Sequence, residues 1–148
     1  MKRSAALAPL SREHHRALVF AWKLLRAGPG EAEDLTGRIP VMFQRDLEPH
    51  FQAEEESILD GLRHSKHIDL VSRTLAEHAR LRALASPEGI RREGAPEAFA
   101  KLLIEHVRFE ERELFPAAER FLGLADAEPA DAQEREEGQP QGGGADGR

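Results

Sequence analysis

The chain has no cysteine and no tyrosine. The first absence excludes disulfides, thiolate zinc sites, iron–sulfur clusters and cysteine nucleophiles, so any metal must be held by His, Asp or Glu. The second removes tyrosyl-radical chemistry. No apolar run approaches the roughly 20 residues of a membrane span, and the first ten residues, MKRSAALAPL, lack the apolar stretch of a secretory signal. No membrane association and a cytoplasmic location are therefore expected. A basic excess is missing too: the net charge is −6, and no basic face or stripe is available for nucleic acid.

What is present is one domain's worth of material, 148 residues with 32% charged and 40% hydrophobic side chains. The acid is concentrated at one end. Ala125–Arg148 carries seven acidic and two basic residues, a net of −5, which leaves −1 for the 124 residues before it (20 acidic, 19 basic). That segment has no large apolar side chain and is rich in Gly, Pro, Gln and Glu, so disorder is expected over 125–148. Residues 1–124 should form the folded domain.

Within it, apolar residues recur at helical spacing, and no strand alternation competes. A first helix is expected from an N-cap at Ser11, with Leu18, Trp22 and Leu25 on one face, ending at Gly28, Pro29 and Gly30. A second should run from about Ile39 to Leu62, after a short acidic piece near Glu31, with Phe43, Leu47, His50, Glu54 and Ile58 aligned. Pro49 lies inside it and should kink or bulge it just before His50. A third, about Lys66 to Ala85, aligns Ile68, Val71, Leu75, His78 and Ala85. The fourth, from near Pro96, aligns Phe99, Leu103, His106, Glu110, Leu114, Ala117 and Phe121, with Pro116 interrupting its last turns. Four amphipathic helices with short loops imply an all-α, antiparallel up-down-up-down four-helix bundle. The phenylalanines at 43, 51, 99, 109, 115 and 121 and Trp22 read as core packing.

Two helices carry a histidine followed four residues later by a glutamate on the inward stripe, His50 with Glu54 and His106 with Glu110. Aligning LEPHFQAEEESIL with LIEHVRFEERELF at an offset of 56 also matches Leu47 with Leu103, Glu55 with Glu111 and Ile58 with Leu114. Helices one and three correspond through Glu13-His14 and Glu77-His78, at an offset of 64. Each helix thus offers a core-facing histidine, and at about 1.5 Å rise per residue the four fall within roughly 8 Å of bundle height. A polar layer of imidazoles and carboxylates inside a helical core is unfavourable unless paired, and a metal centre resolves that. Imidazole and carboxylate suit iron, zinc, copper or manganese, and two glutamates on opposite helices can each bridge a pair of ions. On helix one either His14 or His15 can be the inward residue: the Glu-His match favours His14, and the spacing to Leu18 puts His15 slightly ahead. Glu111 is a lesser alternative to Glu110. Glu55, Glu56, Glu111 and Glu113 read as a solvated acidic face from which one residue could support a ligating imidazole. His64 and His67 read as surface residues.

From EHHRALVFAWKL through LEPHFQAEEESIL and LAEHARL to LIEHVRFEERELFP, about Leu10 to Leu122, the chain resembles the hemerythrin-like HHE cation-binding domain family. The resemblance implies two non-haem irons with a bridging oxo or hydroxo group, another divalent metal being an alternative, and binding of O2 or a related small ligand such as NO or peroxide. It makes His50 and His106 terminal ligands, Glu54 and Glu110 bridging ligands, and His78 a ligand from helix three. Oxygen-carrying members of the family have a second histidine one turn before that one, where this chain has Thr74. The iron served by His78 and His106 would then lack a ligand, which favours sensing, storage or redox turnover over reversible oxygen carriage. The expected function is a metal- and small-ligand-binding protein. A di-iron oxidoreductase acting on peroxide or NO is the alternative, and a metal-free interaction module acting through an unknown protein partner is the third reading.

Overall fold

A computed structural model describes residues 2–124. The acidic segment 125–148, expected to be disordered, lies outside them. Among the described residues there is no strand, and the chain forms four helical rods. The first is α1 (Ala8–Arg26). The second joins α2 (Pro29–Met42), a π-helical turn (Phe43–Leu47), α3 (Glu48–Glu56) and α4 (Ile58–Leu62). The third is α5 (Ile68–Ala85). The fourth joins α6 (Ala95–Phe109), a second π turn (Glu110–Leu114) and α7 (Phe115–Phe121).

Prolines shape these rods more by starting turns than by stopping them. α1 begins three residues before the expected cap, with Pro9 in its first turn, where a missing N–H is harmless. Ser11, expected as the N-cap, instead donates its hydroxyl to Glu111 Oε2 at 2.7 Å. Pro29 ends no more than the linker: it opens α2, so the second rod starts ten residues before Ile39 and the acidic piece near Glu31 is helical. Leu35 and Ile39 carry its buried stripe forward to Phe43.

Both π turns precede a proline by two residues, Pro49 and Pro116. A proline deprives the carbonyl four residues earlier of its donor, and lengthening one turn to i+5 bonding re-pairs the backbone. The Glu48 N–H accordingly reaches Phe43 O, and the Phe115 N–H reaches Glu110 O. The bulge expected before His50 is therefore present, and the Pro116 interruption takes the same form.

The buried faces follow the expected stripes on the second and fourth rods, where Phe43, Leu47, His50, Glu54, Ile58, Phe99, Leu103, His106, Glu110, Leu114 and Ala117 are all buried. Two other stripes are rotated. α1 buries His14, Ala17, Ala21 and Leu24 rather than Leu25, because its alanines allow close packing against α6. α5 buries Val71, Thr74, His78, Leu81 and Ala85, leaving Ile68 and Leu75 exposed. Phe121, at the end of α7, is 49% exposed, so it does not join the core with the other phenylalanines.

Two apolar clusters result. One gathers around Ala21, Ile39, Phe43, Phe99 and Leu103, the other around Leu59, Leu62, Leu114 and Phe115. Where the two meet lie the buried His14, His50, Glu54, His78, His106 and Glu110. No described helix is long and apolar enough to cross a membrane.

Candidate metal centre

Each rod contributes one buried imidazole to this layer: His14 from α1, His50 from α3, His78 from α5 and His106 from α6. The second and fourth rods add Glu54 and Glu110, both 0% exposed. The rings pair off, with centroids 4.8 Å apart for His14 and His50 and 4.9 Å apart for His78 and His106. Two overlapping groups of ligand-capable atoms form, His14, His50, Glu54 and Glu110, and Glu54, His78, His106 and Glu110, each with its atoms within 4.8 Å of one another.

The two glutamates belong to both groups, and each splits its oxygens between them. Glu54 turns Oε2 to His50 Nε2 at 2.9 Å and Oε1 to His78 Nε2 at 3.1 Å. Glu110 turns Oε1 to His14 Nε2 at 2.8 Å and Oε2 to His106 Nε2 at 3.0 Å. This is the disposition of a carboxylate that spans two cations. Only the His78–Glu54 approach has the direction of a hydrogen bond. The Nε2 atoms of His14, His50 and His106, Glu54 Oε2 and both Glu110 oxygens are buried without a hydrogen-bond partner. Six such orphans within one buried layer would be strongly destabilising in a purely structural core. The donor set, four imidazole nitrogens and two carboxylates, fits a pair of first-row transition-metal cations.

On the outer side every imidazole is held by a further carboxylate through Nδ1: His50 by Glu13 at 2.6 Å, His78 by Glu55, His106 by Glu77 and His14 by Glu111, each at 2.7 Å. A carboxylate accepts, so Nδ1 carries the hydrogen, and in the neutral ring the Nε2 lone pair is left facing inward. The order is cyclic. The first rod supports the histidine of the second, the second that of the third, the third that of the fourth, and the fourth that of the first. Three of these carboxylates are themselves anchored: Glu55 by Arg82 at 3.0 Å, Glu77 by Arg73 at 2.9 Å, and Glu111 by Arg3 at 3.2 Å.

These charges set the protonation of the cation-free site. Burial alone would lower the His78 pKa, but Glu110 and Glu54 outweigh it and raise it to about 9. His14, His50 and His106 are raised for the same reason, burial being overcome chiefly by Glu110 for His14 and His106 and by Glu54 for His50. Burial would raise Glu110, yet His106 and the neighbours around it hold its carboxyl well below the usual range. Without cations the cluster therefore retains protons in their place.

Of the residues singled out in the sequence, His14, His50, Glu54, His78, His106 and Glu110 meet here. His15 does not: it lies one helical step, about 100°, from His14 on α1 and is exposed. The Leu18 spacing favoured His15 because it assumed the wrong stripe. Glu111 is not an inward alternative to Glu110 but the outer support of His14, and Glu55 is the support of His78. Glu13 supports His50 and Glu77 supports His106, and the repeated Glu-His dipeptide is their signal in the sequence. Thr74 is buried, and its hydroxyl donates to Leu70 O at 2.8 Å. The two groups of ligand-capable residues have the same make-up, each with two imidazoles and the same two carboxylates. His64 is exposed, and His67 stands away from the cluster with its ring edge on Phe121.

No curated protein and no solved structure matches the chain. The family model of the hemerythrin HHE cation binding domain matches residues 7–118, which contain all six inward ligand candidates. The chain thus belongs to the hemerythrin HHE cation-binding domain family.

Proposed function

We propose that this protein holds two non-haem iron ions in the layer between its apolar clusters and binds O2, or a related small ligand such as NO or peroxide, in sensing, storage or redox protection. One observation carries the reading: six buried nitrogen and oxygen atoms on three of the rods lack hydrogen-bond partners and lie within the two overlapping groups of ligand-capable residues. His14 and His50 would serve one ion, His78 and His106 the other, with Glu54 and Glu110 shared. Iron, when bound, supplies a redox couple and exchangeable positions for such ligands. The chain's part is to hold the imidazoles oriented, Nε2 inward, through the outer carboxylates and to exclude bulk water with the phenylalanines packed on them. Phe51 stacks on His78 at 3.9 Å and Phe115 on His14 at 5.2 Å. The same reading takes the four rods to run up-down-up-down and the protein to work in the cytoplasm.

The test is metal analysis of protein purified without added metal, followed by mixing the reduced protein with O2. Two irons per chain and a stable, reversible optical change support the proposal, whereas rapid turnover with an electron donor would assign an oxidoreductase instead. One zinc per chain would overturn the iron assignment.

A further inference from the structure

The cyclic ring of outer carboxylates has one corner unlike the others. At three corners the arginine that anchors the carboxylate also lies over a phenylalanine: Arg82 over Phe51 at 5.6 Å, Arg73 over Phe109 at 4.0 Å and Arg3 over Phe115 at 5.5 Å. At those corners guanidinium and ring together cover the carboxylate, with several bonds from Arg3 and Arg82 and one from Arg73. Glu13, at the His50 corner, has no such anchor: among the described residues its only charged partner is His50, and its side chain is 39% exposed against 15–29% for the other three.

A cleft of about 430 Å³ opens at that corner, between α1 and the π turn of the second rod. The buried His50 and the half-buried Glu13 line it, with the exposed Pro49, Ala53, Arg16 and Arg45 at its mouth. The surface cavities on the Arg82 and Arg73 sides reach those arginines and include none of the inward ligand residues. Leu47 of the π turn and Pro49 after it both line the cleft. Resting on the cation-binding reading, we propose that metal ions enter and leave the centre through this cleft, past the exposed Asp46, with Glu13 the carboxylate that receives an incoming divalent cation beside His50.

The experiment follows Co(II) uptake by the metal-free full chain and its extraction by chelator, with stopped-flow absorbance. Ala53→Trp fills the cleft from an exposed position, and Ala79→Trp puts the same bulk on the exposed face of α5. Expected is uptake and release slowed together by about tenfold or more in Ala53→Trp, with the equilibrium affinity within about twofold of wild type, as for any obstruction that acts on rates alone. Ala79→Trp should match wild type. As a second variant that leaves packing untouched, Arg16→Glu makes the cleft mouth more acidic and should speed Co(II) uptake several-fold at low salt, an effect abolished at high salt, whereas Arg80→Glu on α5 should not. Wild-type rates in both cleft variants, or equal changes in the α5 controls, would overturn the passage while leaving the centre intact. Failure of the wild type to bind Co(II) at all would instead overturn the metal centre and the passage with it.

Discussion

Nδ1 of His106 lies 2.7 Å from Oε1 of Glu77, a residue of a different rod whose carboxylate is held in turn by Arg73 at 2.9 Å. The orientation of an inward imidazole is thus fixed from outside by a chain of charges that ends at the protein surface. Burial would raise the Glu77 pKa, but His106 and Arg73 hold it below the ordinary carboxylate value, so the support is an anion at neutral pH.

Glu77→Gln should therefore leave the fold intact and weaken metal binding by about 10–100-fold, because a neutral acceptor orients the ring but no longer raises its basicity. Glu97→Gln, which changes an exposed member of an i,i+4 pair with Lys101, should have no effect. Competition titration against a chelator checks both, with circular dichroism to show equal helix content.

Sharing of the glutamates makes stoichiometry informative. His50 belongs to one group of ligands and Glu110 to both. His50→Ala should retain one cation per chain, and Glu110→Ala should lose both. Metal analysis after dialysis against limiting chelator reads the difference, and equal losses in the two variants would argue against a bridging Glu110.

The HxxxE pairs were legible because their spacing, four residues, keeps both side chains on one helical face and because the surrounding apolar pattern repeats at an offset of 56. His14 against His15 was not. Adjacent residues differ by about 100° of helix rotation, and the choice depends on which stripe of α1 faces the core. The large residues Leu18, Trp22 and Leu25 pointed one way. The stripe that packs on α6 is built from Ala17 and Ala21, whose small size allows close approach but gives little hydrophobic signal. The outer carboxylates were hidden for a different reason. Each supports a histidine on the next rod, so the pairing of Glu13 with His50 or Glu111 with His14 exists only once the packing order is known. The early start of α2 was missed because Pro29 reads equally as a stop for one helix and as the first turn of the next.

Stability at a distance from the centre should respond to Gly89. A Cβ there would collide with the backbone carbonyl of Ala83, at the end of α5, and crowd Ser86 Oγ. That carbonyl belongs to a helix end and cannot swing away like a flexible side chain. Gly89→Ala is expected to destabilise the protein by about 1–3 kcal/mol, the range for forced overpacking, with metal stoichiometry unchanged. Urea denaturation of the metal-free protein measures the first, and metal analysis the second.

The metal-free protein should lose stability on both sides of neutrality, for opposite reasons. His78 is raised in the folded state from an ordinary 6.5 to about 9. A group whose folded pKa exceeds its unfolded one contributes its stabilisation fully below the unfolded value, and that contribution disappears as pH rises through the folded value. The alkaline loss should therefore develop between about pH 6.5 and 9, with His14, His50 and His106 adding in the same sense. Glu55, Glu77 and Glu111 are shifted the other way, each lowered from 4.5: burial opposes the shift, and Arg82 with His78, His106 with Arg73, and His14 with Ser11 outweigh it. Their contribution is present above that ordinary value and is lost as pH falls through the lower folded values. Bound cations would take the place of the retained protons, so loading the centre should remove the alkaline loss, and acid should release the metal as the imidazoles reprotonate. Urea midpoints measured across this range, with and without metal, check the sign of each limb. An alkaline limb that is the same in both forms would show that the histidines titrate independently of the cations, and the inward imidazoles would then not be their ligands.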